Sequence, residues 1–272
     1  MGERWRLILD APRDGGANMA YDEAILRAVA RGAQPPTLRL YAWRVPTLSL
    51  GCAQPSADVD FERLKARGWG AVRRPSGGRA ILHADEITYS VALPDTHPLA
   101  RGSVTESYRR LSAALLAALR LLAPELPLEA DRRHQRANAP NAICFEVPSD
   151  YEITAHGKKL VGSAQVRKYG GVLQHGALPL SGDVADICDA LVFSDEAARQ
   201  RAKTRLRERA IALSDALGTP IAWQAAAEAL SAGFRQAFGL EWQIGTFDPA
   251  EESDARALLQ GRYADPAWTC GR

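Results

Sequence analysis

One short segment constrains the fold of this 272-residue chain more than any other: residues 73–83, with the sequence RRPSGGRAILH. Gly77 and Gly78 lack Cβ atoms, so a ligand can approach the backbone N–H groups of this turn closely. Pro75 restricts the entry to the turn and removes a competing backbone donor. An apolar run then ends at His83. The segment predicts a turn at the end of a strand that can hold an acyl group.

Strand signals fill the first two thirds of the chain, and helix signals fill the rest. The predicted strands are residues 4–9, 37–41, 43–51, 70–74, 87–93, 151–155, 159–166 and 172–180. Residues 195–238 are helical and rich in alanine, and a last helix is expected near 254–261. Short connections between strands favour an α+β fold, with a mixed β-sheet core flanked by α-helices. We predict a single domain over residues 1–272, in which 195–272 form a mostly helical C-terminal extension.

Several local patterns predict where elements begin and end. Asn18 is expected to cap a helix with Asp22 and Glu23 in its first turn, where acidic side chains are favoured. The alternation in residues 37–41 predicts a half-buried strand. Ser103 and Glu106 form a capping-box pattern before a long amphipathic helix. Residues 156–157 predict the turn of a hairpin.

Composition excludes some classes of protein. The 34 Lys and Arg residues against 32 Asp and Glu leave a net charge of +2, which argues against a general polyanion binder but allows a local basic face. The four cysteines are far apart and form no C-x-x-C pair, so a zinc ribbon or redox motif is disfavoured. Without an apolar run of about 18 residues, a membrane span is not expected. Free thiols and this composition predict a cytoplasmic protein.

Two further segments support a functional interpretation of the turn: residues 143–149 (ICFEVPS) and 157–165 (GKKLVGSAQ). In this order and spacing, the three segments resemble the lipoate/biotin protein ligase superfamily, specifically its lipoate ligase and octanoyltransferase branch. Residues 18–24, 43–51 and 174–178 also resemble family segments, so the likeness covers roughly residues 1–182. It implies the biotin/lipoate protein ligase catalytic-domain fold, with no cofactor. A metal site is not expected, because the histidines lack neighbours at ligand spacing.

Cys144 indicates which branch of the family the chain resembles. A thiolate is a strong nucleophile once nearby cations or N–H groups stabilise it. A buried structural cysteine is the alternative, since free cysteine is among the most buried residue types. Residues 144–149 resemble the acyl-accepting loop of one octanoyltransferase class, which favours catalysis. Cys188 is the second candidate nucleophile, but the apolar stripe of residues 184–192 favours a core position for it.

Lys159 lies where the family has its ligand-contacting lysine. A cation aimed at a thioester carbonyl stabilises the developing oxyanion. Lys158 is expected to face outward, because adjacent strand residues point to opposite sides. The resemblance also assigns substrate binding to a set of residues around the turn and two later strands: Arg73, Arg74, Ser76, Gly77, Gly78, His83, Gly162, Ser163, Ala164 and His175.

The chain departs from the family turn at two positions. Arg79 stands where ligases commonly have a third glycine, and Ala84 follows His83 where an aspartate is common. An arginine would fill space in a nucleotide phosphate site or change the charge of that site, although it can also bind phosphate. Both changes argue against an ATP-dependent ligase.

The resemblance implies an octanoyltransferase. Octanoyl-acyl carrier protein would donate the octanoyl group to Cys144, and the acceptor would be a lysine of a lipoyl domain, either glycine cleavage H protein or a 2-oxoacid dehydrogenase E2. Neither nucleic acid nor a membrane is expected as a partner. Three alternatives remain: an ATP-dependent lipoate-protein ligase that forms lipoyl-adenylate, an amidotransferase between lipoyl domains, and a non-catalytic lipoyl-domain binder. The basic cluster at residues 132–136 is expected to be a solvated loop or a contact for an acidic carrier protein.

Overall fold

The computed structural model describes residues 2–131 and 152–271. Cys144 and the basic cluster at residues 132–136 lie outside the described residues, so the predictions made for them are not addressed by the fold. Within the described ranges, no helix combines the length and apolar character needed to cross a membrane.

Strands and helices alternate irregularly along the chain. The strands are β1 (Glu3–Leu9), β2 (Thr37–Tyr41), β3 (Thr47–Leu50), β4 (Gly70–Arg73), β5 (Ile81–His83), β6 (Glu86–Pro94), β7 (Leu128–Asp131), β8 (Glu152–Ala155), β9 (Lys158–Lys159), β10 (Gly162–Lys168), β11 (Gly171–Pro179) and β12 (Leu240–Ile244). The helices are α1 (Gly15–Ala30), α2 (Phe61–Ala66), α3 (Val104–Leu122), α4 (Glu196–Arg209), α5 (Leu213–Leu217), α6 (Trp223–Phe238), α7 (Pro249–Leu258) and α8 (Pro266–Cys270).

The main sheet has the strand order β10-β11-β6-β2-β1-β12. Strand β1 pairs in parallel with β2 and β12, whereas β2, β6, β11 and β10 pair antiparallel. A small sheet β4-β3-β5 carries the Ser-Gly-Gly turn between β4 and β5, and a third sheet has the order β7-β8-β9. Mixed pairing with helices packed around it confirms the predicted α+β class.

The capping box before α3 is confirmed. The hydroxyl of Ser103 accepts a bond from the N–H of Glu106, and the Glu106 carboxylate accepts one from the N–H of Ser103. Leu111, Leu115 and Leu119 face the core, as their helical spacing predicts. Helix α3 packs against α6 so closely that a Cβ at Gly233 would lie 2.4 Å from the backbone nitrogen of Ala118.

The predicted start of α1 is wrong. The helix begins at Gly15, not after Asn18, and Asp22 and Glu23 lie in its buried interior. The Asn18 amide nitrogen donates instead to the carbonyls of Arg13 and Ala42, at 3.3 and 3.1 Å. A capping residue and a residue bound to a distant loop look alike in sequence, because both use a short polar side chain.

The prediction that β2 is half-buried is also wrong. All five residues of β2 are buried, and Arg39 has no exposed surface. Its guanidinium donates to Asp22 at 2.7 Å and to Asp10 at 2.7 Å. Alternation of polar and apolar residues normally indicates that one face of a strand is exposed to solvent. A charged side chain can nevertheless be buried when it is paired with an opposite charge.

Residues 159–166 were predicted to form one strand, but they belong to two. Strand β9 ends at Lys159 in the third sheet, and β10 begins at Gly162 in the main sheet. Leu160 and Val161 between them are buried. The hairpin turn itself is confirmed, with positive φ angles of 51° at His156 and 72° at Gly157. Lys159 therefore lies at the crossing between two sheets.

The C-terminal elements return to the main sheet. Strand β12 pairs with β1 along residues 240–244, and Glu251 of α7 binds the buried Arg6 through both carboxylate oxygens. Residues 266–270 of α8 lie beside the turn, because the Trp268 indole N–H donates to the carbonyl of Arg73 at 2.8 Å. The last third of the chain thus helps to hold the turn in place.

Candidate active site

A small, partly open cavity lies where the main sheet meets the small sheet that carries the turn. Its walls come from α1 and from β2, β3, β5, β6, β10 and β11, and they include Met19, Tyr41, Trp43, His83, Ala164 and His175. Its volume is about 20 Å³. That is room for about one water molecule between mainly apolar walls.

The structure gathers most of the predicted binding residues around this cavity. Arg74, His83, Ala164 and His175 line it directly. Ser76 bonds to His175, and the Ser163 hydroxyl accepts a bond of 2.7 Å from Tyr89. Gly162 pairs with Ala177, another lining residue.

His175 is held between a carboxylate and a hydroxyl. Its Nδ1 lies 3.1 Å from Asp22 Oδ2, and its Nε2 lies 2.5 Å from the Ser76 hydroxyl. An ionised carboxylate can only accept hydrogen bonds, so the proton of the neutral ring belongs on Nδ1. Nε2 then accepts from Ser76, and the Ser76, His175 and Asp22 side chains form a continuous hydrogen-bond chain.

Asp22 stays ionised although it is fully buried. Burial opposes the charge, but the hydrogen bond from His175 and the charge of Arg39 outweigh that cost and lower the pKa of Asp22. The hydroxyls of Tyr41 and Ser90 donate to the same carboxylate, at 3.0 and 2.8 Å. A carboxylate fixed in this way orients the imidazole and stabilises its protonated form.

We expect Asp22→Asn to lower both stability and activity. Breaking a buried ion pair by removing one partner costs about 3 to 5 kcal/mol. Because the pKa of Asp22 is lowered in the folded state, its stabilising effect is present near neutral pH and is lost as the pH falls below about 4, the range of an unfolded carboxyl. Urea unfolding from pH 3 to 7 measures this directly, and the Asp22→Asn protein should show a flatter pH dependence.

Asp10→Asn is the matched control for that experiment. Asp10 also binds Arg39, but its other described side-chain partner is Arg13 rather than His175. Asp10→Asn should therefore lower stability while keeping acyl transfer near the parental rate. Equal losses of activity in both variants would show that Asp22 serves the fold alone.

His83 is held in the same manner on the other side of the cavity. Its Nδ1 lies 2.7 Å from Glu86 Oε1, and its Nε2 lies 2.7 Å from the Ser49 hydroxyl. Glu86 also accepts bonds from the Trp43 indole and from Thr88. The imidazole stacks on the Trp43 ring at 4.0 Å between centroids. The cavity is therefore flanked by two histidines whose orientations are both set by buried carboxylates.

Arg74 closes the Ser-Gly-Gly turn. Its guanidinium donates to the carbonyls of Ser49, Gly77 and Arg79 at 2.7 to 2.9 Å. Gly78 has a φ of 92°, which favours glycine. Gly51 lies under the turn, where a Cβ would come within 2.0 Å of the Gly78 carbonyl oxygen. Gly77 differs, because a Cβ there would meet no described atom within 4 Å.

This contrast predicts opposite outcomes for two glycine substitutions. Gly77→Ala should keep the thermal unfolding midpoint of the parental protein, while acyl transfer falls about 10- to 100-fold because the methyl group moves the acyl group away from the turn. Gly51→Ala should destabilise the protein by about 1 to 3 kcal/mol through overpacking. Calorimetry and single-turnover assays separate the two effects. Full activity of Gly77→Ala would show that the turn is not part of the binding site.

Arg73 is not among the described residues that line the cavity. Its guanidinium donates to four backbone carbonyls, those of Gly51, Gln54, Trp268 and Thr269. These contacts tie the turn to the C-terminal helix α8. Among the described contacts of Arg73, none reaches a residue of the cavity wall.

Lys159 is buried, with 5% of its surface exposed, whereas Lys158 is only half-buried. The Lys158 ammonium donates to the carbonyl of Arg207 at 2.7 Å. The Lys159 backbone carbonyl accepts a bond from the N–H of Ile211 at 3.1 Å. Lys159 is not part of the cavity wall formed by the described residues, and it lies three residues before Gly162, the first residue of β10.

The three described cysteines have different surroundings. Cys188 has no exposed surface and lies in a cluster of apolar residues that includes Ile187 and Leu191. Its core position confirms what the apolar stripe predicts. Cys52 is half-buried and Cys270 is exposed.

Sequence reasoning missed the groups that hold the two histidines. Asp22 was interpreted as a helix-terminus charge, and Ser49, Glu86 and Trp43 were not considered as partners of His83. One signal was available: Asn18 and Asp22 are four residues apart and so share a face of α1. Two polar residues on a helix face that also carries Ile25 and Val29 indicate a buried polar site.

Comparison with known proteins agrees with this architecture. A family model for the lipoyl protein ligase A/B catalytic domain matches residues 14–235. The octanoyltransferase LipM of Kyrpidia tusciae is 44% identical, with 98% of each chain covered. That of Moorella thermoacetica is 42% identical, covering 98% of this chain and 97% of its own. Among solved structures, an archaeal bipartite lipoate protein ligase from Thermoplasma acidophilum, studied with its E2 lipoyl domain, has a TM-score of 0.83 at 25% identity, covering 99% of this chain and 97% of that one.

The chain belongs to the lipoyl protein ligase A/B catalytic domain family, which confirms the resemblance inferred from its motifs. Relatives matching over nearly the whole length are named as transferases, and the chain is an enzyme of that class.

Proposed function

We propose that this protein is an octanoyltransferase of lipoate biosynthesis that takes octanoate from octanoyl-acyl carrier protein and passes it, through a thioester on Cys144, to a lysine of a lipoyl domain. The observation that carries the proposal is the whole-length match to relatives named octanoyltransferase LipM. The apolar cavity between two oriented histidines supports it, because an alkyl chain needs apolar walls and the acyl carbonyl needs polar groups at one end.

The chemistry needs two acyl transfers. The Cys144 thiolate attacks the donor thioester, forms a new thioester and releases the carrier thiol. The amine of the acceptor lysine then attacks this acyl-enzyme, forms the amide and releases the Cys144 thiol. Neither step needs ATP, because a thioester is already activated for acyl transfer.

The second step requires a proton acceptor, because a free lysine amine is almost entirely protonated near pH 7. His175 suits this role: its ring lines the cavity, and ionised Asp22 can stabilise the imidazolium. The proton would reach His175 through Ser76: as the Ser76 hydroxyl gives its own proton to His175 Nε2, its oxygen takes the proton of the amine. Lys159 can then serve as the cation that stabilises the oxyanion. No single residue has to be both that cation and the proton acceptor.

An eight-carbon chain does not fit within about 20 Å³, which holds about one water molecule, so on binding it would either move the cavity walls apart or extend through the open side of the cavity. Met19 is the wall residue best suited to move, because its unbranched side chain adapts to irregular spaces. It projects from α1, one turn from Asp22.

An ATP-dependent lipoate-protein ligase is the second candidate. The archaeal neighbour with a TM-score of 0.83 is a lipoate protein ligase, so this fold also supports that chemistry. Arg79 in place of a third glycine argues against a nucleotide site in this chain. An amidotransferase that takes octanoate from one lipoyl domain and gives it to another would use the same residues.

The choice of donor distinguishes these functions. The purified protein is incubated with an apo lipoyl domain and one of three donors: octanoyl-acyl carrier protein, an octanoylated lipoyl domain, or lipoate with ATP. Intact mass spectrometry follows the enzyme and the acceptor. We expect the carrier protein donor to give an octanoyl adduct on the enzyme, then an octanoylated acceptor. Acylation only with lipoate and ATP, accompanied by pyrophosphate, would establish the ligase instead.

A further inference from the structure

Residues 259–270, here called the C-terminal brace, lie outside the match to the family model, which ends at residue 235. The brace consists of a short π-helical segment (Leu259–Tyr263) followed by α8. Its first part packs against α1, and α8 packs against β4. Because α1 carries Asp22 and β4 leads into the Ser-Gly-Gly turn, the brace joins two elements that carry residues of the candidate active site.

Glu23 of α1 anchors one end of the brace. The Tyr263 hydroxyl donates to the Glu23 carboxylate at 2.6 Å, and the Arg262 guanidinium donates to it at 2.7 Å. Glu23 is buried and directly follows Asp22, the carboxylate that orients His175. Hydrogen bonds to an ionised carboxylate are among the stronger ones in proteins, so this end of the brace is firmly attached.

Trp268 connects that anchor to the small sheet. Its ring lies edge-on to the Tyr263 ring at 6.1 Å between centroids, and the Arg262 guanidinium carbon lies 5.0 Å from its ring centroid. The two side chains that bind Glu23 therefore also hold the indole. The indole N–H donates to the carbonyl of Arg73, the last residue of β4, at 2.8 Å. A chain of contacts thus runs from α1 to the start of the turn.

The carbonyl that Trp268 binds lies on the open side of an edge strand. Strand β4 has only β3 as a neighbour in the small sheet. The peptide group between Arg73 and Arg74 donates its N–H to the Leu50 carbonyl of β3 at 3.0 Å. In a trans peptide the C=O points opposite to the N–H, so the Arg73 carbonyl faces away from the sheet and toward the brace. Trp268 and β3 together fix this peptide group from both sides, immediately before the turn.

We infer that Trp268 is a positioning residue for acyl transfer, which holds the Ser-Gly-Gly turn at a fixed position relative to α1. The hydrogen-bond chain of Ser76, His175 and Asp22 spans these two elements, since Ser76 lies in the turn and Asp22 in α1. Its bonds keep their lengths only while the turn and α1 keep their separation. The inference rests on the proposed function, in which this chain takes the proton of the attacking amine. A displacement of about 1 Å can slow such a step strongly.

Trp268→Phe tests the inference, because it removes the N–H and keeps an aromatic ring. Trp242→Phe is the matched control. The Trp242 indole is also half-buried and donates to a backbone carbonyl, that of Ser231 at 3.1 Å, but it joins β12 to α6, and neither residue is among those that line the cavity.

Three measurements are made on each full-length protein. Excess octanoyl-acyl carrier protein is added first, and the amplitude of the octanoyl adduct gives the fraction of competent enzyme. An apo lipoyl domain is then added, and rapid-quench kinetics give the rate constant for transfer to it. Deuterium exchange of residues 73–80 is measured separately, without any donor, and so reports on the turn whether or not the proposed function is correct.

We expect Trp268→Phe to lower the rate constant for transfer about 10- to 100-fold with the adduct amplitude of the parental protein, since the folded enzyme keeps a displaced turn. Exchange in residues 73–80 should rise about 5-fold, as expected for the loss of one hydrogen bond. Trp242→Phe should change neither quantity, although it loses a bond of the same kind.

Several results would overturn the inference. An unchanged transfer rate constant in Trp268→Phe does so, and so does an equal fall in Trp242→Phe. A lower adduct amplitude with an unchanged rate constant would show that Trp268 serves stability alone. Unchanged exchange in residues 73–80 would show that the brace does not hold the turn. A parental protein that forms no adduct with any donor would instead reject the proposed function.

Discussion

Cys144→Ala should abolish octanoyl transfer from acyl carrier protein without unfolding the protein. Removing one small side chain has a modest effect on stability, whereas loss of the nucleophile prevents the acyl-enzyme from forming. Mass spectrometry of the enzyme after incubation with the donor should show an octanoyl adduct in the parental protein and none in the variant. The apo lipoyl domain in the same reaction should remain unmodified.

Cys188→Ala is the control for the cysteine assignment. Cys188 is fully buried in an apolar cluster, so its replacement should cost about 1 kcal/mol of stability and leave acyl transfer intact. The two variants together make a decisive pair. An active Cys144→Ala protein beside a folded but inactive Cys188→Ala protein would reverse the assignment.

Lys159→Met should reduce single-turnover acylation of the enzyme by a factor of about 100 to 1,000, the usual cost of removing one oxyanion-stabilising group. Methionine roughly preserves the side-chain volume at this buried position and removes only the charge. Donor affinity should change little, since the lysine is expected to act on the carbonyl rather than on the alkyl chain. Rapid-quench kinetics with octanoyl-acyl carrier protein measure both quantities.

Lys158→Met is the matched control, because it makes the same substitution on the adjacent, half-buried residue. It removes the bond to the Arg207 carbonyl and should lower stability slightly, with acylation near the parental rate. If Lys159→Met acylates Cys144 normally but fails to pass octanoate on, the lysine serves the second step only. If both steps survive, Lys159 is a structural residue at the sheet crossing.

Local features were predictable from the sequence where a few neighbouring residues decide the conformation. The capping box at Ser103 and Glu106 begins α3, and the turn at His156 and Gly157 joins β8 to β9, as expected. The same reasoning failed at Asn18 and at Arg39. In both cases a polar side chain satisfies a partner far away in sequence, and local periodicity contains no information about that partner.

By itself, the sequence determined the fold class, the family and the list of residues from which a site could be built, because motif chemistry and hydrophobic periodicity are local properties. Only the tertiary structure decided how those residues are used. It separated Arg73, bound to carbonyls near the C-terminus, from Arg74, which closes the turn beside the cavity. It also joined Asp22, His175 and Ser76 into one hydrogen-bond chain across more than 150 residues of sequence. Such contacts depend on the register of β6, β10 and β11 and on the packing of α1 against them, which are set by the burial of the whole core rather than by any single segment.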